Sequence, residues 1–355
     1  MFVLFVPWHT IGSYSRKDDG KLKRKLLITL CVVLAIILVG LIALTFVVNS
    51  FLNEINKLDP DQTFTPQDPS DLFEESEPLE TDPVTDQAET IFQGEDVINI
   101  LLVGQDRREN EGNSPQRTDA MILCTVNKKT GTLTMTSFMR DIWVYIPDYY
   151  NQRLNMPYKL GGFPLLNKTL EYNFGVSADY NVEIDFSGFM EAIDTIGGVE
   201  IELTSAEAKY LNKRGNWDIE ENQHWKLKEG VNLLTGSQAL AYSRIRQIGT
   251  DFGRTNRQRT VLTALIEKVK TLGATELFDL ARKLMPLIYT DMTNNQILSL
   301  IMEMLPILSN LEIVSQRIPM DKQYAFEKKG GADVIVLSKE NLKVNKELLV
   351  ATMGE

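Results

Sequence analysis

Between residues 97 and 147 the apolar positions fall in short blocks. VINILLVG (97–104) is continuously apolar and ends on Gly104, the pattern of a strand buried on both faces. DAMILCTVN (119–127) and LTMTSFM (133–139) flank KKTG, a hairpin signal, and IWVYIP (142–147) follows and is stopped by Pro147. Four short strands so close together predict a sheet. From residue 164 the period changes. PLLNKTLEYNFG (164–175) spaces its leucines for a helix that stops at Gly175, and VEIDFSGFMEAIDTIGG (182–198) reads as a strand and then a helix. VEIEL (199–203) is a further strand. Beyond a polar, irregular insert around 206–230, residues 236–246, 251–273, 275–290 and 293–308 carry helical apolar spacing, and LEIVSQRIP (311–319) closes with a strand. Strands interleaved with helices predict an α/β sandwich over 97–320. The weaker pattern of 321–355 reads as a C-terminal tail.

The N-terminal quarter has a different texture. LLITLCVVLAIILVGLIALTFVV (26–48) carries no charge, and its length matches the roughly 30 Å hydrocarbon core of a bilayer. It reads as an uncleaved transmembrane helix. Arg16, Lys17, Lys21, Lys23, Arg24 and Lys25 precede it, while 49–96 holds one basic residue, Lys57, so the positive-inside rule makes 1–25 cytoplasmic and the rest extracellular. Segment 49–96, with fourteen Asp or Glu and five Pro, reads as a disordered acidic linker.

Charge follows this division. The chain is formally −11, but the linker supplies −13 and residues 1–48 supply +4, which leaves 97–355 at −2. The folded part is nearly neutral with a local basic cluster, which excludes a general nucleic-acid binder. Cys31 lies in the apolar run and Cys124 in a strand, so no disulfide staples the domain. With His224 as its one histidine, a zinc site has too few ligands and a Ser-His-Asp triad would rest on that residue alone. Chemistry must come from carboxylates, arginines and a hard cation.

Five of fifteen arginines crowd into RIRQIGTDFGRTNRQR (244–259). On a helix from 254, Arg254, Arg257 and Gln258 share a stripe with Val261 and Leu265. Asp251 or Thr250 is placed to cap it, so free amides and guanidinium groups point the same way. Arg244 and Arg246 flank Ile245 and project to one side of an extended segment. Acidic partners at i±4 are missing: residue 250 is Thr, 253 Gly and 261 Val. An anion at the site supplies the missing partner, in preference to a solvated face. A second group, Asp106, Arg107, Arg108, Arg117, Asp119, Arg140 and Asp141, lies at strand borders, where side chains converge on one crevice. Alone these residues could be structural ion pairs. Beside the arginine cluster they suggest a pyrophosphate gripped by guanidinium groups with Mg2+ on the carboxylates.

The ordered blocks LLVGQDRR, QRTDAMIL, SFMRDIWVYIP and YSRIRQIGTDFGRTNRQR resemble the LytR-CpsA-Psr family over about 97–275. The family's Asp-x-Arg falls on Asp106 and Arg108, its Arg-x-Asp on Arg117 and Asp119, its Arg-Asp on Arg140 and Asp141, and its Arg-x-Arg on Arg244 and Arg246. Its closing motif falls on Asp251, Phe252, Gly253, Arg254, Arg257 and Gln258; Met139 stands where the family often has proline, a departure that bears on loop geometry. The resemblance implies an α-β-α sandwich around a mixed central sheet, with a hydrophobic cleft for a polyprenyl tail. It also implies phosphotransfer of an anionic glycopolymer from a polyprenyl-pyrophosphate carrier to a peptidoglycan hydroxyl. On that reading Arg108, Arg117, Arg244, Arg246, Arg254, Arg257 and Gln258 hold the pyrophosphate with support from Arg140. Asp106 and Asp119 hold Mg2+ (or Mn2+), Asp141 or Asp106 takes the hydroxyl proton, and Asp251 is a structural support. A pyrophosphate hydrolase built on the same residues and a non-catalytic wall-polymer-binding protein are the competing readings.

Overall fold

The computed structural model describes residues 50, 52–57, 86–105, 117–213, 225–329 and 331–353. The chain divides into Met1–Leu52 and Asn53–Glu355, and the architecture that follows is that of the second unit. Its first half runs β1 (Asn56–Lys57), β2 (Val97–Gln105), β3 (Thr118–Asn127), β4 (Thr132–Phe138), β5 (Trp143–Tyr145), β6 (Asn151–Arg153), α1 (Pro157–Phe174), β7 (Tyr180–Asp185), α2 (Phe186–Thr195) and β8 (Val199–Leu203). The second half runs α3 (Ser205–Asn212), β9 (Gly230–Leu234), α4 (Gly236–Ser243), α5 (Asp251–Lys270), α6 (Ala274–Leu284), β10 (Ile288–Thr290), α7 (Asn294–Met304), β11 (Glu312–Ile318), β12 (Ala325–Lys329), β13 (Ala332–Val336) and α8 (Lys339–Met353).

Seven strands form one mixed sheet in the order β1-β10-β7-β2-β3-β4-β11. The hairpins β2–β3 and β3–β4 are antiparallel, whereas β7 joins β2 and β11 joins β4 in parallel, as crossover helices require. Alternation sorts the side chains. Leu101, Val103, Met121 and Leu123 face a core shared with Phe174 of α1 and Leu349 and Met353 of α8. Leu102, Ile122 and Cys124 face Leu262 and Ile266 of α5. The result is the expected α-β-α sandwich around a mixed sheet. Burial pushes the Cys124 thiol up to about 12, in keeping with a core role.

Three segments differ from the sequence reading. The helix expected over 275–290 ends at Leu284, because Met285–Leu287 tightens into a 3-10 turn at Pro286 and Ile288–Thr290 pairs antiparallel with β7. Part of the insert at 206–230 is ordered: Thr204 and Glu207 form a capping box on α3, and β9 pairs with β8. Residues 214–224, with His224, lie outside the described residues. Residues 321–355, read as a tail, carry the β12–β13 hairpin and α8, whose Leu342, Leu349 and Met353 are core. At the other border, the end of the presumed linker is tied down by Ala88 N–H to Tyr172 O (2.7 Å) and Ile91 N–H to Gly175 O (2.8 Å).

The expectation of a single-pass cell-membrane protein with an extracellular domain is corrected. Among the described residues no helix is long and apolar enough to cross a membrane. The 20-residue α5 is too charged, with Arg254, Arg257, Arg259 and Lys268 along it, and the 18-residue α1 is kinked at Gly161 and Gly162 and carries Pro164. The apolar run 26–48 that suggested the span lies outside the described residues.

Candidate active site

Three chain segments meet at one edge of the sheet. The first is the start of β3. Its register against β2 runs Gly104 with Ala120 and then Gln105 with Thr118, so Asp119 is the extra residue of a bulge. The bulge turns both Asp119 and Ala120 toward the α5 face, where strict alternation would allow one. The second is the turn after β4. Its backbone is fixed by Met139 N–H to Ile318 O (2.9 Å), Asn155 N–H to Arg140 O (3.1 Å) and Ile335 N–H to Asp141 O (2.9 Å). The third is the first turn of α5 with the loop leading into it.

The side chains interlock. Arg140 Nη1 donates to Asp119 Oδ1 at 2.6 Å, its Nε lies 3.5 Å from Asp141 Oδ2, and its Nη2 lies 3.8 Å from Asp251 Oδ1. Arg254 Nη2 reaches both oxygens of Asp251, at 2.9 and 3.0 Å, and Arg246 Nη2 stands 3.9 Å from Asp119. Guanidinium groups distant in the chain therefore converge around Asp119, Asp141 and Asp251. Burial alone would pull the Arg140 guanidinium down, but Asp141, Asp251 and Asp119 together outweigh it and its pKa is raised. Arg254 is lowered, chiefly by burial, against the pull of Asp251. Burial pushes the Asp251 carboxyl up, and Arg254 and Arg140 offset this only in part.

The donors are not all satisfied. Arg254 is 2% exposed, and its Nε and Nη1 are buried without a hydrogen-bond partner among the described residues, as is Arg140 Nε. A buried charged donor left unpaired costs at least about 1–3 kcal/mol, so an anion at this spot would restore what the fold leaves open. The cluster also stands at the mouth of an apolar cavity of about 230 Å³. Leu102, Ile122, Ile184, Phe189, Leu262 and Leu265 line it, and Asp119 and Gln258 lie at its polar end. A dry cavity of about 150 Å³ holds one benzene, so this one takes roughly two isoprene units.

Other expected residues are placed differently. Arg257 was read as a substrate arm, yet its guanidinium is committed: Nε to Glu207 at 2.7 Å, Nη1 to Ile245 O at 3.2 Å and Nη2 to Ile248 O at 2.8 Å. It clamps the loop that carries Arg244 and Arg246. Arg244 lies over the Phe186 ring, 4.7 Å from its centroid, beside the cavity. Arg117 is lowered by burial of its guanidinium and by the charge of Arg153. Asp106 and Arg108 lie outside the described residues, as does Arg107.

Sequence reasoning missed Arg153, Glu207 and the aromatic lining. Arg153 Nη1 sits 3.4 Å from Asp141 Oδ1, carried there by pairing of β6 with β5. A hairpin signal around Pro147 and Asp148 was the one clue to it.

Residues 62–350 match the model of the LytR_cpsA_psr family. Among curated proteins, the chain is 33% identical over 188 residues, 52% of its own length and 57% of the relative's, to the polyisoprenyl-teichoic acid–peptidoglycan teichoic acid transferase TagT of Bacillus subtilis (strain 168). It is 36% identical over 174 residues, 47% of its length, to the regulatory protein MsrR of Staphylococcus aureus (strain COL), of which the match covers 48%. The chain thus spans about half the length of these curated relatives. Among solved structures, that of the LytR-CPS2A-psr family protein YwtF (TagT) with bound octaprenyl pyrophosphate lipid superposes with a TM-score of 0.56 at 25% identity, covering 74% of this chain and 92% of that one.

Proposed function

Because the chain belongs to the LytR_cpsA_psr family, we propose that it transfers an anionic glycopolymer from a polyprenyl-pyrophosphate carrier to a peptidoglycan hydroxyl. The observation that carries this reading is the pair of buried Arg254 donors without a hydrogen-bond partner among the described residues, in a cluster whose Asp119 lines an apolar cavity. The first isoprene units of a prenyl chain fit the cavity, and a diphosphate fits the donors. Transferase names among the relatives and the lipid bound in a structural neighbour support the same pairing.

In this reaction the acceptor oxygen attacks the phosphorus that bears the glycan. The bond from that phosphorus to the bridging oxygen breaks, polyprenyl phosphate leaves, and a glycan phosphodiester forms. Arg140, Arg246 and Arg254 hold the diphosphate and spread its charge. Asp141 receives the acceptor proton, a role for which Asp106 is the other candidate. Asp251 aims Arg254. On this reading Arg117 and Arg108 join the other arginines on the diphosphate, and Gln258, in the cavity lining, lies near the junction of head and tail.

Mg2+ (or Mn2+) suits the donor set here. Among the described residues no group of three acidic, His or Cys side chains forms a complete cage, but Mg2+ is ordinarily held by one or two carboxylates together with substrate phosphates. Asp119, with Asp106, would provide those oxygens, and the ion would supply charge neutralisation on the phosphates.

The test is transfer of a lipid-linked glycopolymer to peptidoglycan by the purified chain. Arg254→Gln and Asp119→Asn should each lower turnover at least a hundredfold, and EDTA should do the same. Water in place of the acceptor would mark a hydrolase, seen as free glycan phosphate whether or not peptidoglycan is added. Turnover that survives both substitutions would end the proposal.

A further inference from the structure

Next to the cluster, three aromatic rings pack into a shelf. Phe252 directly follows Asp251, and its ring centroid lies 4.8 Å from that of Tyr324 and 6.3 Å from that of Phe326; Tyr324 and Phe326 are 5.4 Å apart and nearly perpendicular. Arg317 covers the Phe252 ring at 4.1 Å and is held by Pro319 O at 2.9 Å and by an ion pair to Asp321. Phe252 and Tyr324 are half-buried against the core, but Phe326 is 63% exposed.

The position of Phe326 is unusual for an open ring. It pairs directly with Ile335 across the β12–β13 ladder, and residues directly opposite share a face of the hairpin. Ile335 is 2% exposed, and its N–H donates to the carbonyl of Asp141. The Phe326 ring therefore projects from the side of the hairpin that faces the protein, about 5 Å across the pair from a residue bonded to the Asp141 backbone. At 63% exposed, its free face on that side is open to a ligand. Its surroundings are polar: Asp321, Lys322, Glu327 and Lys328 are all exposed.

We propose that the Phe252–Tyr324–Phe326 shelf binds a sugar ring of the acceptor glycan strand and lays its hydroxyl toward Asp141. A pyranose presents one face of C–H groups to an aromatic ring and a rim of hydroxyls to charged neighbours, which is the chemistry this shelf offers. One exposed ring inside a charged rim is too small an apolar patch for a protein partner, whose interface core needs several anchors. The shelf is continuous with the cluster through the Asp251–Phe252 chain link and the Ile335 N–H on Asp141 O.

This inference rests on the transferase reading, and its test separates the two. Binding of soluble peptidoglycan strands, freed of cross-links by peptidase digestion, is measured on the full chain by calorimetry beside binding of a polyprenyl pyrophosphate. Phe326→Ala should weaken strand binding about fivefold to tenfold, the span expected for loss of one aromatic contact. It should raise the acceptor KM with kcat and donor binding unchanged, and Phe326→Trp should bind strands as well as the native chain. Arg254→Gln should show the reverse, losing the donor and keeping the strand. Native strand affinity in Phe326→Ala overturns the shelf, and so does the absence of strand binding by the native chain. A change in sedimentation of Phe326→Ala with strand binding intact also overturns it, because the ring then serves self-association. Donor binding that survives in Arg254→Gln refutes the pyrophosphate site and leaves the shelf to stand on strand affinity.

Discussion

Arg257→Ala distinguishes a clamp from a substrate arm. Arg257 and Glu207 are 6% and 7% exposed, and both carboxylate oxygens are used: Oε1 accepts from Arg257 Nε at 2.7 Å, and Oε2 accepts from the Thr204 N–H at 3.0 Å and the Thr204 hydroxyl at 2.8 Å in the α3 capping box. Removing the arginine leaves a buried carboxylate without its cation and strips donors from the carbonyls of Ile245 and Ile248. Breaking a buried pair from one side costs about 3–5 kcal/mol, a large share of the roughly 5–15 kcal/mol that holds a domain together. With a urea slope near 3 kcal/mol/M, the unfolding midpoint should drop by about 1–1.7 M. Glu207→Ala combined with Arg257→Ala should lose less than the sum, by about 2 kcal/mol, since neither charge is then stranded.

The pH dependence has a definite sign. Burial pushes the Glu207 carboxyl up, but the Thr204 and Arg257 hydrogen bonds outweigh it and hold it below its ordinary 4.5. A depressed acid adds stability that is fully present above the unfolded pKa and disappears as pH falls through the folded one. Urea melts at stepped pH should therefore show an acid limb below about pH 4.5 that is shallower in Glu207→Gln. A hundredfold rise in donor KM for Arg257→Ala with a stability loss under about 1 kcal/mol would refute the clamp and return Arg257 to the substrate.

Two further outcomes follow from the site. Leu262→Trp fills the cavity floor beside Ile122 and Leu102, so polyprenyl pyrophosphate affinity should fall at least tenfold while binding of a soluble short-chain diphosphate to the arginines is unchanged; equal loss of both would show that tail and head do not share this cavity. The raised Asp251 carboxyl gives stability that is present below its ordinary 3.8 and lost as pH rises through the folded value. Asp251→Asn, which keeps an oxygen for Arg254, should therefore cost less neutral-pH stability than Arg257→Ala and lower turnover at least tenfold, read by thermal melts and initial rates.

The sheet was legible in the sequence because β2, β3 and β4 are local, with apolar runs separated by a short turn. The arginine cluster was legible because residue type alone carries the chemistry. Partner assignment was legible only in part: a search for acids four residues away passes over Asp251, three before Arg254 on the same helix, while only the tertiary fold sends Arg257 to Glu207. Nor does periodicity reveal the Asp119 bulge, which depends on a single-residue slip against β2. Residues 321–355 were under-read because their partners are remote. Ile335 bonds Asp141 and Met353 accepts from Gly94, so their order comes from contacts that no local window contains. Pro286, by contrast, marked the end of α6 in plain view.

The cluster's charge balance constrains how a diphosphate enters. Arg140, Arg153, Arg246 and Arg254 already face Asp119, Asp141 and Asp251, four against three. An incoming dianion does not find free cations; it competes with carboxylates for the same guanidinium forks. The contacts at 3.5–3.9 Å are the weak ones, so Arg246 can swing toward phosphate at little cost, whereas Asp119 holds Arg140 at 2.6 Å and Asp251 keeps Arg254 at 2.9 Å. The donors that Asp251 does not use, Nε and Nη1 of Arg254, then remain for the ligand. To the extent that its arginines turn to phosphate, Asp119 lacks positive charge, and Asp141 keeps only Arg153 at 3.4 Å. A divalent ion on the first and the acceptor's proton on the second would supply it, which ties substrate entry to the two roles that the chemistry demands of those carboxylates.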